Sequence, residues 1–165
     1  MDDASLPRLA TLLAALGSGL IGGVFFAFST FVMQALARLP PAQGLAAMQH
    51  INVTVLNPLF LGVFMGTALL GVALGGWTLL RWPASGGAWV VAGCVLYVVG
   101  CFGVTVAANV PLNDKLAAVQ AGSAEGVALW QAYLQDWTRW NHVRTLASLA
   151  AAAALGWAVW RLPAA

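Results

Sequence analysis

Four long apolar runs follow one another along this chain, and short polar segments separate them. No charged residue occurs at positions 9–33, 59–80 or 89–108, and a shorter uncharged run covers 145–160. A helix of about 20 apolar residues spans a bilayer. The fourth run reaches that length only if residues 141–144 enter the interface, where an arginine can extend toward the headgroups. The pattern predicts four spans, at about 9–33, 57–80, 89–109 and 141–160.

We therefore predict an all-α fold in which residues 1–165 form one domain, a membrane-embedded four-helix bundle with a partly helical third loop. The chain is 61% hydrophobic and only 7% charged, whereas a soluble domain carries about 25% charged residues. Eight Trp and seven Phe exclude a disordered chain. A formal net charge of +2 on scattered residues excludes a nucleic-acid-binding surface, so the lipid bilayer is the expected surrounding.

The first apolar run is interpreted as a retained span. A signal peptide has an apolar core of only about 7–15 residues, and here Asp2 and Asp3 precede the run. Four spans place both termini on one face of the membrane and the first and third loops on the other. Basic residues flank the two faces in nearly equal number, which gives little signal by the positive-inside rule. If Arg139 and Arg144 are set aside for function, the termini lie in the cytoplasm, and we expect a bacterial inner-membrane protein.

Glycines at four-residue spacing occur in the first two spans, as Gly19 with Gly23 and Gly62 with Gly66. In lipid, such pairs let helix backbones approach closely, either within the bundle or between copies of a homo-oligomer. The alternative interpretation is that glycine is simply common in membrane helices.

One helical face carries aromatic and polar side chains from the third loop into the fourth span. At about 100° per residue, its members share an arc of about 80°. They are Trp130, Tyr133, Trp137, Asn141, Arg144 and Ser148. An interfacial aromatic belt would explain the rings, but it does not explain Asn141 and Arg144 on the same face at membrane depth. A buried charge in a membrane is costly and is a functional candidate.

Asparagines mark the end of the third span. Pro111 cannot donate a backbone hydrogen bond, so we predict that the helix breaks there and that Asn113 caps the next helix. Asn109 follows Cys101 and Thr105 at four-residue spacing and faces the bundle with them.

Two further asparagines precede the second span. Asn57 before Pro58 predicts a helix N-cap, whereas Asn52 has no capping role and is a candidate for the site. His50 is a further candidate in this segment, although a single loop histidine is more often a surface residue.

The sequence predicts no metal site. His50 and His142 do not stand at ligand spacing from each other or from Asp114 and Asp136. The two cysteines are seven residues apart in one apolar run, about 10 Å along a helix, which is too far for a disulfide. We interpret both as packing residues.

Several strings resemble the anthrone-oxygenase-like family of small membrane proteins. They are Asn109-Val-Pro-Leu-Asn113-Asp-Lys-Leu116, Trp130-x-x-Tyr133-x-x-x-Trp137-Thr-x-Trp140-Asn141-His142-Val-Arg144-Thr, Gly22-Gly-Val-Phe-Phe-Ala-Phe-Ser29 and Met48-Gln-x-Ile-Asn52. The resemblance extends over nearly the whole chain, and the Trp-Asn-His-Val-Arg string is its specific part. Gln34 and His50 depart from the family pattern, in which a proline and a small residue are usual, so the resemblance implies no catalytic role for His50.

The resemblance implies a four-helix membrane protein. In some relatives it also implies oxidation of polyketide anthrones to anthraquinones by molecular oxygen, with no evident metal or flavin. We accordingly expect an anthrone-type oxygenase that needs no cofactor and takes a lipophilic aromatic small molecule as its ligand.

This chemistry gives the candidate residues their expected roles. Arg144 would stabilise an enolate oxygen, with Asn141 and Asn109 as further donors. His142 or Asp136 would accept the proton. A flat apolar substrate would stack on aromatic rings. The residues expected to bind it are Trp130, Tyr133, Trp137, Trp140, Asn52 and Asn113.

Two other functions fit the same sequence. A non-enzymatic binder or transporter of a lipophilic ligand would use the same aromatic pocket, and a structural subunit would dock a partner through the glycine-rich faces. Oxygen uptake would distinguish the enzyme, a bound ligand without turnover would indicate the binder, and a stoichiometric partner would indicate the subunit.

Overall fold

The computed structural model describes residues 5–83 and 85–162, which form five helices and no strand. Four are long and apolar enough to cross a membrane: α1 (Ser5–Ala37), α3 (Pro58–Arg81), α4 (Gly87–Ala117) and α5 (Ala124–Arg161). A shorter helix, α2 (Pro41–Thr54), joins the first two. The predicted all-α four-helix bundle is confirmed, and the chain is an integral multi-pass membrane protein. Asp2 and Asp3, whose charges favoured a retained first span over a signal peptide, lie outside the described residues.

Side-chain caps set the starts of two long helices. The Asn57 side chain accepts a hydrogen bond from the Phe60 backbone N–H at 3.0 Å, and Pro58 occupies the first turn of α3, so the predicted N-cap is confirmed. Ser123 caps α5 in the same way, through the N–H of Gly126 at 3.0 Å. Each cap satisfies a backbone donor that the helix itself leaves unpaired.

Helix α4 passes through Pro111 without a break, so the predicted helix end is wrong. The reason is a π-helical turn at Thr105–Asn109, immediately before the proline. There the Val110 N–H bonds to the Thr105 carbonyl, five residues back instead of four, and this wider register accommodates a residue that lacks an N–H. Asn113 consequently lies inside the helix, and the prediction that it caps a helix start is also wrong.

Helix α5 is the centre of the bundle, because α1 and α4 pack along it while α3 packs on α1 and α4. Glycines allow the closest approaches. A Cβ placed on Gly22 would lie 2.9 Å from the Leu149 side chain, and one on Gly100 would lie 2.7 Å from Ala147. Neither position accommodates a side chain without movement of its neighbour, so α1 and α4 approach the middle of α5 closely.

The glycine pairs that the sequence predicted as packing faces are not the glycines at these close approaches. Of the four, Gly19 alone faces another helix, with Ala152 3.7 Å from its Cβ position. Around Gly23, Gly62 and Gly66, no atom from another helix of the described residues lies within 4 Å of that position. Packing within the bundle is therefore wrong for these three, because four-residue spacing does not specify which way a helix face is turned. Contact with another copy of the chain stays a prediction.

Helix α2 covers the end of the bundle that carries the first and third loops, which we call the loop end. Leu45 and Met48 pack with Trp130 in one hydrophobic cluster. Gln49 Nε2 donates to the carbonyls of Leu116 (2.8 Å) and Val119 (3.0 Å) at the end of α4. Since carbonyls at a helix end lack helical partners, Gln49 fixes α2 across that end. The opposite end, which carries the short second loop, is called the termini end.

Candidate functional site

The Arg144 side chain is buried in the bundle, with only 4% of its surface exposed. Its guanidinium carbon lies 4.1 Å from the centre of the Phe25 ring on α1 and 5.0 Å from a ring centre of Trp137 on α5. Both distances permit cation–π attraction. The cation therefore has an aromatic surrounding, and the edge of its planar group is left for hydrogen bonds.

Two hydrogen bonds hold this guanidinium in place. Nη2 donates to Asn141 Oδ1 at 2.7 Å, and Nη1 donates to Thr105 Oγ1 on α4 at 3.3 Å. Nε has no partner among the described residues. Because a guanidinium has five N–H donors, three of them have no hydrogen-bond acceptor among the described residues.

No carboxylate in the described part of the chain pairs with Arg144. The ion pair found there joins Arg139 to Asp136 at 3.9 Å on the surface, and Asp114 and Glu125 are exposed. The neighbours of Arg144 are instead aromatic rings, an amide oxygen and a hydroxyl. A buried charge without a counter-ion is costly in a membrane, and this makes Arg144 the strongest indication of a binding site.

Asn141 positions Arg144 and is itself fully occupied. It is completely buried, and its Nδ2 donates to the Phe25 carbonyl and to Ser29 Oγ, both at 2.7 Å. Ser29 Oγ also lies 3.3 Å from Thr145 Oγ1. With both N–H groups used, Asn141 has none to offer a ligand. The geometry gives it the role of a positioning residue instead of the direct donor expected above.

Asn109 supplies an unpaired acceptor on α4. It is completely buried, and its Nδ2 donates to the Trp137 carbonyl at 3.2 Å. Its Oδ1 has no partner within the described residues. The site thus contains an unpaired donor, Arg144 Nε, and an unpaired acceptor. Buried polar groups are normally satisfied, so both atoms are candidates for contact with a ligand.

Three of the predicted rings form a buried stack at the loop end. The ring centres of Trp130 and Tyr133 are 5.7 Å apart, and those of Tyr133 and Trp137 are 6.1 Å apart. Asn113 Oδ1 accepts hydrogen bonds from the Tyr133 hydroxyl at 2.8 Å and from Trp137 Nε1 at 2.9 Å. Asn52 Nδ2 donates to the same hydroxyl at 3.5 Å. The stack therefore has a fixed orientation, with Trp137 nearest to the guanidinium.

Three residues with a predicted role in the site lie outside this cluster. His142 and Trp140 are on the exposed face of α5, because one step along a helix turns a side chain by about 100° away from Asn141. Asp136, the other expected proton acceptor, is exposed and pairs with a neighbouring arginine. Neither expected proton acceptor faces Arg144.

The residues of the cluster on α4 and α5 lie in a segment that a known family covers. The family model described as anthrone oxygenase matches residues 60–154, which is more than half of the chain. The chain belongs to the anthrone oxygenase family. No match was found among curated proteins or among solved structures. The family assignment drawn from the sequence strings is thereby confirmed, although the strings at 22–29 and 48–52 lie before the matched segment.

The segment matched by the anthrone oxygenase family model contains only part of the site. It includes the guanidinium of Arg144, its two hydrogen-bond partners, Asn109 and the aromatic stack. Phe25 and Ser29 on α1, together with Asn52 on α2, lie before the matched segment. The family model therefore covers the charged centre, while the residues that close it from α1 and α2 lie outside the match.

Contacts from Phe25, Ser29 and Thr105 were missed in the sequence. Ser29 lies in a π-helical turn of α1, Phe28–Val32, and Thr105 begins the turn in α4 described above. π-helical turns are rare and frequently occur at functional sites. Which side chains of α5 these three residues contact depends on how α1 and α4 pack against it, and periodicity within one helix does not specify this. The available signals were the four-residue series ending at Asn109 and the family-like string ending at Ser29.

No group of three or more His, Cys, Asp or Glu side chains within residues 5–83 and 85–162 is arranged to hold a metal. His50 and His142 are both exposed. That activity needs no metal stays a prediction, and stoichiometric copper, iron or zinc lost together with activity on chelation would contradict it.

Proposed function

We propose that this anthrone oxygenase family protein oxidises a lipophilic aromatic ketone of anthrone type with molecular oxygen, at a site formed by Arg144, Asn109 and Trp137. The observation that carries the proposal is the buried guanidinium that has free N–H groups and no carboxylate partner in the described chain. Family membership supports the reaction class. The proposal includes no resident metal or flavin.

The chemistry of the surroundings matches such a substrate. An anthrone is a flat, apolar tricycle that dissolves in the bilayer and packs against aromatic side chains. Its ketone oxygen would accept hydrogen bonds from the free N–H groups of Arg144. A phenolic hydroxyl beside the ketone would donate to Asn109 Oδ1, which is otherwise unpaired.

The guanidinium would favour the reactive form of the substrate. Loss of one benzylic proton converts the ketone to an enolate, whose delocalised charge suits the planar fork of arginine. Fixed donors in a site that excludes water stabilise such an oxyanion strongly. The enolate carbon then bonds to dioxygen, and the peroxide anion takes up one proton, which replaces the proton lost in the first step. The O–O bond of this hydroperoxide breaks, and its outer OH group leaves as water with the second benzylic hydrogen. One anthrone and one dioxygen give one anthraquinone and one water, the stoichiometry of a monooxygenase.

Oxygen uptake by the purified protein tests this proposal. We expect a panel of anthrones to consume dioxygen in a one-to-one ratio, and isotopically labelled dioxygen to appear in the new carbonyl group. The control substrate is a tricyclic ketone of the same shape without a benzylic hydrogen, which should bind but not react. Uptake no faster than in empty membranes, across the whole panel, would contradict the proposal.

A second candidate function is a non-enzymatic binder or transporter of a lipophilic ligand. It is favoured by one observation, namely that His142 and Asp136 face away from Arg144. The aromatic stack and the free N–H groups would serve binding alone. Mass spectrometry of aromatics that co-purify with the protein tests it, and a bound ligand that persists unchanged under oxygen would favour this candidate over the enzyme.

We further propose that the chain lies in a bacterial inner membrane with its termini in the cytoplasm. The loop end, with the Arg144 site, then belongs to the periplasmic half. His50 is exposed at this end, so a cysteine introduced there should react with an impermeant maleimide in intact spheroplasts. Reaction only after lysis would contradict this orientation.

A further inference from the structure

The positive charge of Arg144 has no negative partner in the described protein, and this leads to an inference about the site before any substrate enters. The nearest polar partners, Asn141 Oδ1 and Thr105 Oγ1, are neutral oxygens. Neutral dipoles offset the burial of an ion only in part. Three N–H groups, Nε–H among them, still lack an acceptor.

We propose that Arg144 binds a small, weakly hydrated monovalent anion when no substrate is present. One negative charge neutralises the guanidinium, and one anion can accept from the N–H groups that the protein leaves free. A second negative charge would be uncompensated, so divalent anions are excluded. The anion site rests on the geometry around Arg144 alone.

The aromatic rings around Arg144 determine which anions bind more tightly than others. Phe25 and Trp137 lie against the cation, and only 4% of the Arg144 surface is exposed, so an entering anion must lose its hydration shell. Weakly hydrated anions lose it at the smallest cost, and guanidinium is itself a weakly hydrated cation. We expect thiocyanate and iodide to bind more tightly than chloride, and sulfate not to bind.

The same N–H groups would bind the enolate oxygen during turnover, so the anion competes with substrate. This part of the inference rests on the proposed function. Thiocyanate should therefore raise the KM for an anthrone and leave kcat unchanged, since a saturating substrate displaces the anion.

A second arginine provides a control for the location. Arg161, at the termini end, lies beside Trp157 and borders an open cavity of about 470 Å³ that is also lined by Ser85, Gly86 and Trp89. It is exposed to the surroundings, where water and salt screen its charge. An anion that binds at Arg144 should be insensitive to changes at Arg161.

Infrared spectroscopy of the thiocyanate C≡N stretch tests the inference with sodium thiocyanate as the probe. The purified full-length protein in lipid nanodiscs should show a bound band that saturates at one anion per chain. Iodide should displace it, and sulfate should not. Arg144→Gln should weaken binding by about tenfold or more, as expected for the loss of a charge-assisted hydrogen bond, whereas Arg161→Gln and Arg139→Gln should leave it unchanged.

Three outcomes would overturn the inference. The first is the absence of a saturable band in folded wild-type protein, a test that does not depend on whether Arg144→Gln folds. The second is equal displacement by sulfate and iodide, and the third is undiminished binding in folded Arg144→Gln protein. A saturable, Arg144-dependent band without oxygen uptake would support the anion site while contradicting the proposed oxygenase. A KM for the anthrone that thiocyanate leaves unchanged would overturn the competition.

Discussion

Two arginines of α5 lie beside tryptophans at nearly the same distance, and their surroundings differ. Arg144 is 5.0 Å from Trp137 at the loop end, and Arg161 is 5.1 Å from Trp157 at the termini end. The inner pair is buried, with Trp137 only 5% exposed, whereas Trp157 is 48% exposed. The outer pair is typical of the aromatic belt at a membrane surface, where arginine and tryptophan both reach the headgroups.

The comparison shows that the pairing of arginine with tryptophan does not by itself indicate function. What distinguishes Arg144 is a set of fixed partners on other helices, supplied directly by Thr105 and through Asn141 by α1. A belt arginine needs no such partners, because water and headgroups solvate it. The depth of the charge and the helices that contact it are therefore the features to test.

The largest expected effect comes from exchanging lysine for each arginine. Arg144→Lys keeps the charge but loses the planar fork, so we expect the rate of anthrone oxidation to fall about 10²–10³-fold, as for removal of an oxyanion donor. Arg161→Lys should be nearly silent, since lysine extends to the interface equally well. Oxygen uptake by the two variants measures the difference, with expression and thermal stability checked in parallel. Equal activity of both variants would show that Arg144, too, only anchors its helix.

The next effect concerns the groups that hold each arginine. Asn141→Ala removes the acceptor of Arg144 Nη2 and the donor to Ser29 Oγ, so we expect a loss of about 2–3 kcal/mol in the free energy of unfolding. This exceeds the roughly 0.6 kcal/mol typical of a hydrogen bond between membrane helices. Ser85 donates to the Arg161 carbonyl at the surface, and Ser85→Ala should change stability by less than about 0.5 kcal/mol. Similar losses in both variants, measured by unfolding in mixed micelles, would remove the distinction between the two ends.

A smaller effect is expected at the residue that orients the inner tryptophan. Asn113→Leu removes the acceptor shared by Tyr133 and Trp137 and should destabilise the protein by about 1–2 kcal/mol. Asn113→Asp keeps an acceptor oxygen and should restore most of the stability. Thermal unfolding and tryptophan emission report on the stack. If the aspartate and leucine variants behave alike, the orientation of Trp137 does not depend on this hydrogen bond.

The smallest expected effect comes from adding a methyl group to a glycine of α1 near the Arg144 site. Gly22→Ala places a Cβ 2.9 Å from Leu149 and should cost about 1 kcal/mol. The matched variant Gly23→Ala meets no atom from another helix within 4 Å among the described residues and should be neutral. Unfolding free energies of the two proteins measure the difference. A neutral Gly22→Ala would show that α1 can move away from α5 without loss.

Most of the fold follows from the sequence because it depends on properties local to each helix. The apolar runs specify four membrane helices, and Asn57 with Pro58 specifies one of their starts. The prediction of a helix break at Pro111 was wrong for a reason that residue preferences within one helix do not reveal. A proline is tolerated there because the preceding π-helical turn changes the hydrogen-bond register, and no residue pattern in the sequence indicates such a turn.

The part of the site that lies on α5 was predictable from the sequence. Trp130, Trp137 and Arg144 share a face of α5, and helical periodicity places them there without knowledge of any other element. The partners on α1 and α4 depend on how deep and at what rotation those helices pack. Phe25 and Thr105 could not be assigned to Arg144 in advance, because both properties are decided by side-chain packing between helices.

The hydrogen bonds that link Arg144, Asn141, Ser29 and Thr105 also restrict the movement of helices relative to one another. They join α1, α4 and α5 by directional bonds at a single depth, whereas much of the remaining contact between these helices is apolar. In lipid, apolar contact between helices has no hydrophobic driving force to resist sliding. At this level α1, α4 and α5 are therefore held most firmly against sliding past one another.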